Sequence, residues 1–102
     1  MKLVDQLWPH RNLHFWLTEY GWQTESAPSG VTEAAQAAYL SAAIARFARI
    51  ARIDALVNYL VVDEAAVRAN AWQSGLRRLD GTAKPAFAAW QAAAAAATAH
   101  RR

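Results

Sequence analysis

The chain is predicted to be an α/β protein, a βαβα run with parallel strand pairing. Three observations predict it. Two apolar segments, 13–19 and 55–63, are rich in aromatic and β-branched side chains and too short for helices. Each is followed by a loop carrying glycine, proline or polar punctuation, and each loop leads into a stretch with a helix-start signal. The order strand, helix, strand, helix then implies a right-handed crossover between parallel neighbours.

The elements follow in order. Residues 1–12 are mixed, with Leu3, Leu7 and Trp8 in the last turn of a short helix that Pro9 ends. Leu13 to Glu19 reads as a strand buried on both faces, as parallel strands are. Gly21, Pro28, Ser29 and Gly30 mark the loop behind it. Thr32 is placed to cap a helix over 32–52, with Glu33 favourable in its first turn. Tyr39, Ala43, Phe47 and Ile50 recur on one face of that helix, and Arg46, Arg49 and Arg52 on another. The second strand, 55–63, ends Leu60-Val61-Val62-Asp63 without an aromatic residue, and a loop fills 64–83. Pro85 suits the first turn of a closing helix over 84–99, whose sticky face is Phe87 and Trp90.

Composition limits what such a run can do alone. Of the 102 residues, 55% are hydrophobic, yet 26 are alanine and only 21 are Leu, Ile, Val or Phe. Alanine buries little apolar area, so the core is thin. Two parallel strands also leave two unpaired edges, which invite pairing with another chain. The chain therefore reads as a single incomplete domain over 1–102, part of a larger α/β unit, with self-association through its open sheet edges as a further expectation.

The residue pattern that carries chemistry is Thr18-Glu19-Tyr20-Gly21-Trp22. A carboxylate directly after a buried apolar strand is expensive to desolvate unless it has partners or work to do. At the C-terminal end of a strand Glu19 would project into the mouth of a barrel, where function concentrates; the plainer alternative is a solvated strand-end glutamate. Gly21 lets the backbone turn behind it. Tyr20, Trp22 and Trp72 offer flat apolar faces for a sugar ring, while Trp8, Trp16 and Trp90 are assigned to packing. Asp63 and Glu64 offer acceptors for sugar hydroxyls; the four-residue spacing to Arg68 favours an ion pair instead.

Thr18-Glu19-Tyr20-Gly21-Trp22 resembles the seventh-strand motif of the (β/α)8 retaining glycoside hydrolases, the clan that includes cellulases, mannanases and xylosidases. The likeness continues through Thr32 to Leu40 with Gln36-Ala37, Val57 to Glu64, Ser74-Gly75-Leu76, Asp80-Gly81 and Lys84-Pro85-Ala86-Phe87. It covers about residues 10–90. The resemblance implies a partial TIM barrel running from strand seven to helix eight, and a role in carbohydrate metabolism. It makes Glu19 the catalytic nucleophile of a hydrolase that cleaves O-glycosidic bonds in a poly- or oligosaccharide. Such a mechanism needs a second carboxyl group roughly 5 Å away as acid and base. In the clan that group is a Glu following Asn on the fourth strand, and this sequence holds no Asn-Glu pair. The 102-residue chain alone is accordingly expected to be inactive.

Other classes are set aside. Without cysteine there is no disulfide framework or thiolate zinc site, and no metal or cofactor is expected. His10 and His14 have helical ligand spacing, but Pro9 and the following strand argue against a helix there. The net charge of +3 is too small to imply nucleic acid, and the Arg46, Arg49, Arg52 stripe reads as a solvated helix face. No apolar stretch is long enough to cross a membrane. Met1-Lys2-Leu3-Val4 meets Asp5 before a signal region develops, so no signal peptide is expected, and secretion would follow from the resemblance alone. The competing expectation is a small non-catalytic, Ala-rich helical module that binds a partner or itself.

Overall fold

The computed structural model of the chain describes residues 1–25, 27–65 and 71–101. The elements are α1 (Lys2–Leu7), β1 (Phe15–Tyr20), α2 (Glu33–Ala48), β2 (Ile53–Asn58) and α3 (Pro85–Arg101). The two strands pair in parallel, with Phe15 opposite Ile53, Trp16 opposite Ala55, Leu17 opposite Leu56 and Tyr20 opposite Asn58. The mixed α/β class and the parallel pairing are as the sequence predicts.

The middle helix begins where its cap residue stands. Thr32 is extended, and its hydroxyl accepts the Ala35 N–H at 3.0 Å. Thr32→Ala is expected to remove about 1 kcal/mol of local stability, so hydrogen exchange at Ala35 should quicken about fivefold. The helix ends at Ala48 rather than near 52, because the Arg49 N–H turns back to the Arg46 carbonyl three residues earlier and tightens the last turn. Its buried face is Gln36, Leu40, Ala43 and Ile44, rotated from the Tyr39–Ile50 stripe expected, and Tyr39 is largely exposed.

The core is small. Leu40, Leu76 and Ala86 are buried, and Tyr20, Ala37, Phe87 and Trp90 pack around them. These residues join α2 to α3 and to the segment that follows β2. The radius of gyration is 15.6 Å, against about 13 Å for a compact chain of this length. The strands are not buried on both faces: β1 alternates between half-buried and exposed positions, and Trp16 is 70% exposed rather than packed. The physical reason is that α2 covers one face of a two-stranded sheet while no described helix or strand covers the other.

The second strand starts two residues earlier than expected and ends five earlier. At its end the Asn58 side-chain amide donates to the carbonyls of Leu60 (2.7 Å) and Ser74 (3.1 Å), replacing a ladder with a turn. The last sheet contact is the Tyr59 N–H to the Tyr20 carbonyl at 2.7 Å. The peptide between Tyr59 and Leu60 is cis.

Near the N-terminal ends of the strands, one arginine of the predicted stripe does structural work. Arg52 pairs with Asp5 at 2.7 Å, donates to the Leu13 carbonyl and lies over the Phe15 ring. Its hydrogen bond holds the Asp5 carboxyl below the usual carboxylate range. His14 meets Asp54 at 2.9 Å, and no group of three metal-ligating side chains occurs among the described residues. No described helix is long and apolar enough to cross a membrane.

Candidate functional site

The site is built at the end of β1 by an irregularity in the strand. Pairing with β2 shifts between Leu17 and Tyr20. Phe15 and Leu17 face α2, and the shift brings Tyr20 round to join them: its ring meets Phe47 of α2 edge-on, with centroids 5.9 Å apart. Strict alternation would have set Glu19 apart from Tyr20 but put it on the side of Leu17. With the shift, Glu19 is exposed and lines a cleft of about 250 Å³ together with Tyr20, Gly21, Gln23, Tyr59, Trp72 and Ser74.

Two loops wall this cleft. The first follows β1. A side chain at Gly21 would put its Cβ 2.7 Å from the Tyr59 carbonyl oxygen and 3.2 Å from Ser74 Cβ, so the two walls meet there. The glycine thus serves close approach rather than the turn anticipated for it. The second loop follows β2. Tyr59 and Trp72 stand at right angles with ring centroids 6.0 Å apart. Glu64 accepts the Trp72 N–H at 3.0 Å, which holds the backbone beneath that indole. The Ser74 hydroxyl donates to the Tyr59 carbonyl, and the buried Gln36 amide of α2 donates to the carbonyls of Trp22 (3.1 Å) and Gly75 (3.2 Å).

The expected site residues therefore divide. Glu19, Tyr20 and Trp72 share the cleft, although the Tyr20 ring is engaged with α2. Trp22 lies elsewhere: its ring packs on Tyr39 at 4.8 Å and its indole N–H donates to the Tyr20 hydroxyl. It lines a separate apolar groove of about 700 Å³ between β1 and α2. Asp63 is buried. Its carboxylate meets the Lys84 ammonium at 2.8 Å and accepts the Gly75 N–H at 2.9 Å. Arg68, the partner proposed from spacing, lies outside the described residues.

Tyr59 was missed by reading the sequence. Extending β2 through the apolar Val61-Val62 pair hid an aromatic residue that stands directly after the true strand end. The signal that could have found it is Asn58, a strand-ending side chain immediately before Tyr59.

Chemically, the cleft combines an exposed carboxylate with two aromatic faces, a serine hydroxyl and a glutamine amide. That suits a polar ligand with flat apolar faces. In comparison with known proteins, the chain matches no family model and no curated protein.

Proposed function

We propose that the chain is the C-terminal βαβα part of a (β/α)8 retaining glycoside hydrolase, a partial TIM barrel in which Glu19 is the nucleophile. The observation that best supports this is the convergence of Glu19, Tyr59 and Trp72 on one cleft at the C-terminal ends of two parallel strands. Two open edges and exposed inner-face side chains such as Trp16 are what a section of a barrel would leave uncovered. In this reading Glu19 attacks the anomeric carbon of a poly- or oligosaccharide. A carboxyl group from another part of the barrel protonates the leaving oxygen and then activates water. Trp72 and Tyr59 flank the sugar, and Gln23 and Ser74 hydrogen-bond its hydroxyls.

Binding can be measured on the chain itself. Titration with short β-linked gluco-, manno- and xylo-oligosaccharides, followed by tryptophan emission and amide shifts, is expected to perturb Glu19, Tyr59, Trp72 and Ser74. Trp72→Ala should weaken binding about tenfold. Perturbation confined to residues away from this cleft would sink the assignment.

The open edges also support a second reading, a non-catalytic module that self-associates by adding strands to this sheet. That reading gives the Glu19 cleft no role, whereas the first accounts for both the edges and the cleft.

A further inference from the structure

Lys84 is one of two lysines in the chain, and its side chain is 1% exposed. It stands just before α3, outside the cleft. Its ammonium contacts both Asp63 oxygens (2.8 Å each), the Thr24 hydroxyl (3.0 Å) and the Gln73 carbonyl (3.2 Å). These acceptors come from two loops. Thr24 follows Gln23 in the first cleft wall. Asp63 and Gln73 belong to the second wall, where Gln73 sits between Trp72 and Ser74.

Further bonds repeat the connection. The Thr24 N–H and hydroxyl both donate to the Gln73 carbonyl, and the Gln73 N–H donates to the Gln23 side chain. Asp63 accepts the Gly75 N–H, where a Cβ would come within 2.5 Å of the Asp63 nitrogen. Gln23 lines the cleft, and Thr24, Gln73 and Gly75 are each one residue from a group that does, while Lys84 and Asp63 stand behind them.

We propose that Lys84 and Asp63 are positioning residues: a buried ionic clasp that holds both loops walling the Glu19 cleft in a single arrangement. The proposal rests on the reading of that cleft as the functional site. Its physical basis is the asymmetry between ionic and apolar interiors. Replacing a buried ion pair with apolar side chains of similar volume is often neutral for stability, because desolvation offsets the attraction. What apolar side chains lack is direction. They cannot choose one placement of the Thr24 hydroxyl and the Gln73 carbonyl. A residue that merely stabilises and a residue that positions therefore predict different outcomes for the paired replacement.

The test is amide hydrogen exchange on the whole chain, without sugar, comparing wild type with Lys84→Met/Asp63→Leu and with Asp63→Asn. In the double variant, protection at Thr24 and Gln73 is expected to fall about tenfold or more, while Leu40 and Ile44 in α2 keep theirs. Asp63→Asn, which leaves the buried Lys84 ammonium without its counter-charge, should instead lower protection in the loops and in α2 alike. The proposal is overturned if the loop amides stay within about twofold of wild type. It is equally overturned if, in the double variant, loops and α2 lose protection together, which would make the pair a general stabiliser. Because no sugar is present, a cleft that binds no glycan would defeat the functional assignment and leave this result standing.

Discussion

Lys84→Met alone is expected to abolish the fixed tertiary structure of the chain. The substitution removes the ammonium but leaves the Asp63 carboxylate, 6% exposed, facing the Gly75 N–H as its one remaining strong partner. Leaving one member of a buried pair uncompensated costs about 3–5 kcal/mol. That is comparable with the whole stability of a small domain. The core of Leu40, Leu76 and Ala86 is too small to absorb the loss. Near-UV circular dichroism, which reads the packed tryptophans, should collapse. Adding Asp63→Leu should restore it, since the double variant buries no charge. A single variant with wild-type signal would mean that water reaches Asp63 and that the pair is not sealed from solvent.

The second large effect concerns Glu19. On the proposed assignment, in a barrel completed by upstream βα units from a retaining glycoside hydrolase, Glu19→Gln should lower glycoside hydrolysis by roughly 10⁴- to 10⁶-fold. Glutamine keeps the shape of the side chain but cannot form the glycosyl ester through which a retaining reaction passes. Activated aryl glycosides of glucose, mannose and xylose provide the assay, because a good leaving group removes dependence on the general acid. A slow-turnover fluorinated glycoside should lose its leaving group to Glu19 and add the mass of its fluorinated glycosyl group to the peptide that contains this residue. Activity surviving Glu19→Gln at full level would move the nucleophile to another residue and end the assignment.

Part of this architecture was legible because it is local. Thr32 and Pro85 mark helix starts through one or two residues, and both stand where expected. The strand order followed from element length and composition. Long-range partners were not legible. Spacing points Asp63 and Glu64 to Arg68, five and four residues on, but the structure pairs Asp63 with Lys84, 21 residues on. Nothing in hydrophobic periodicity signals that a glutamine such as Gln36 will be fully buried; two backbone carbonyls from distant loops make that affordable. The same limit explains Tyr59. The apolar Val61-Val62 pair argued for continuing the strand, whereas the Asn58 side chain ends it through acceptors at Leu60 and Ser74.

The pairing shift between Leu17 and Tyr20 makes the freedom of this sequence to vary unequal. A connection such as that between β2 and α3 could gain residues at a cost that rises only with the logarithm of its length. The end of β1 has no such latitude. One residue more or fewer between Leu17 and Tyr20 would exchange the two faces, turning the carboxylate into α2 and the phenol out to solvent. Evolution could therefore redraw the rim of this protein by insertion and deletion, yet could alter its six-residue first strand by substitution alone.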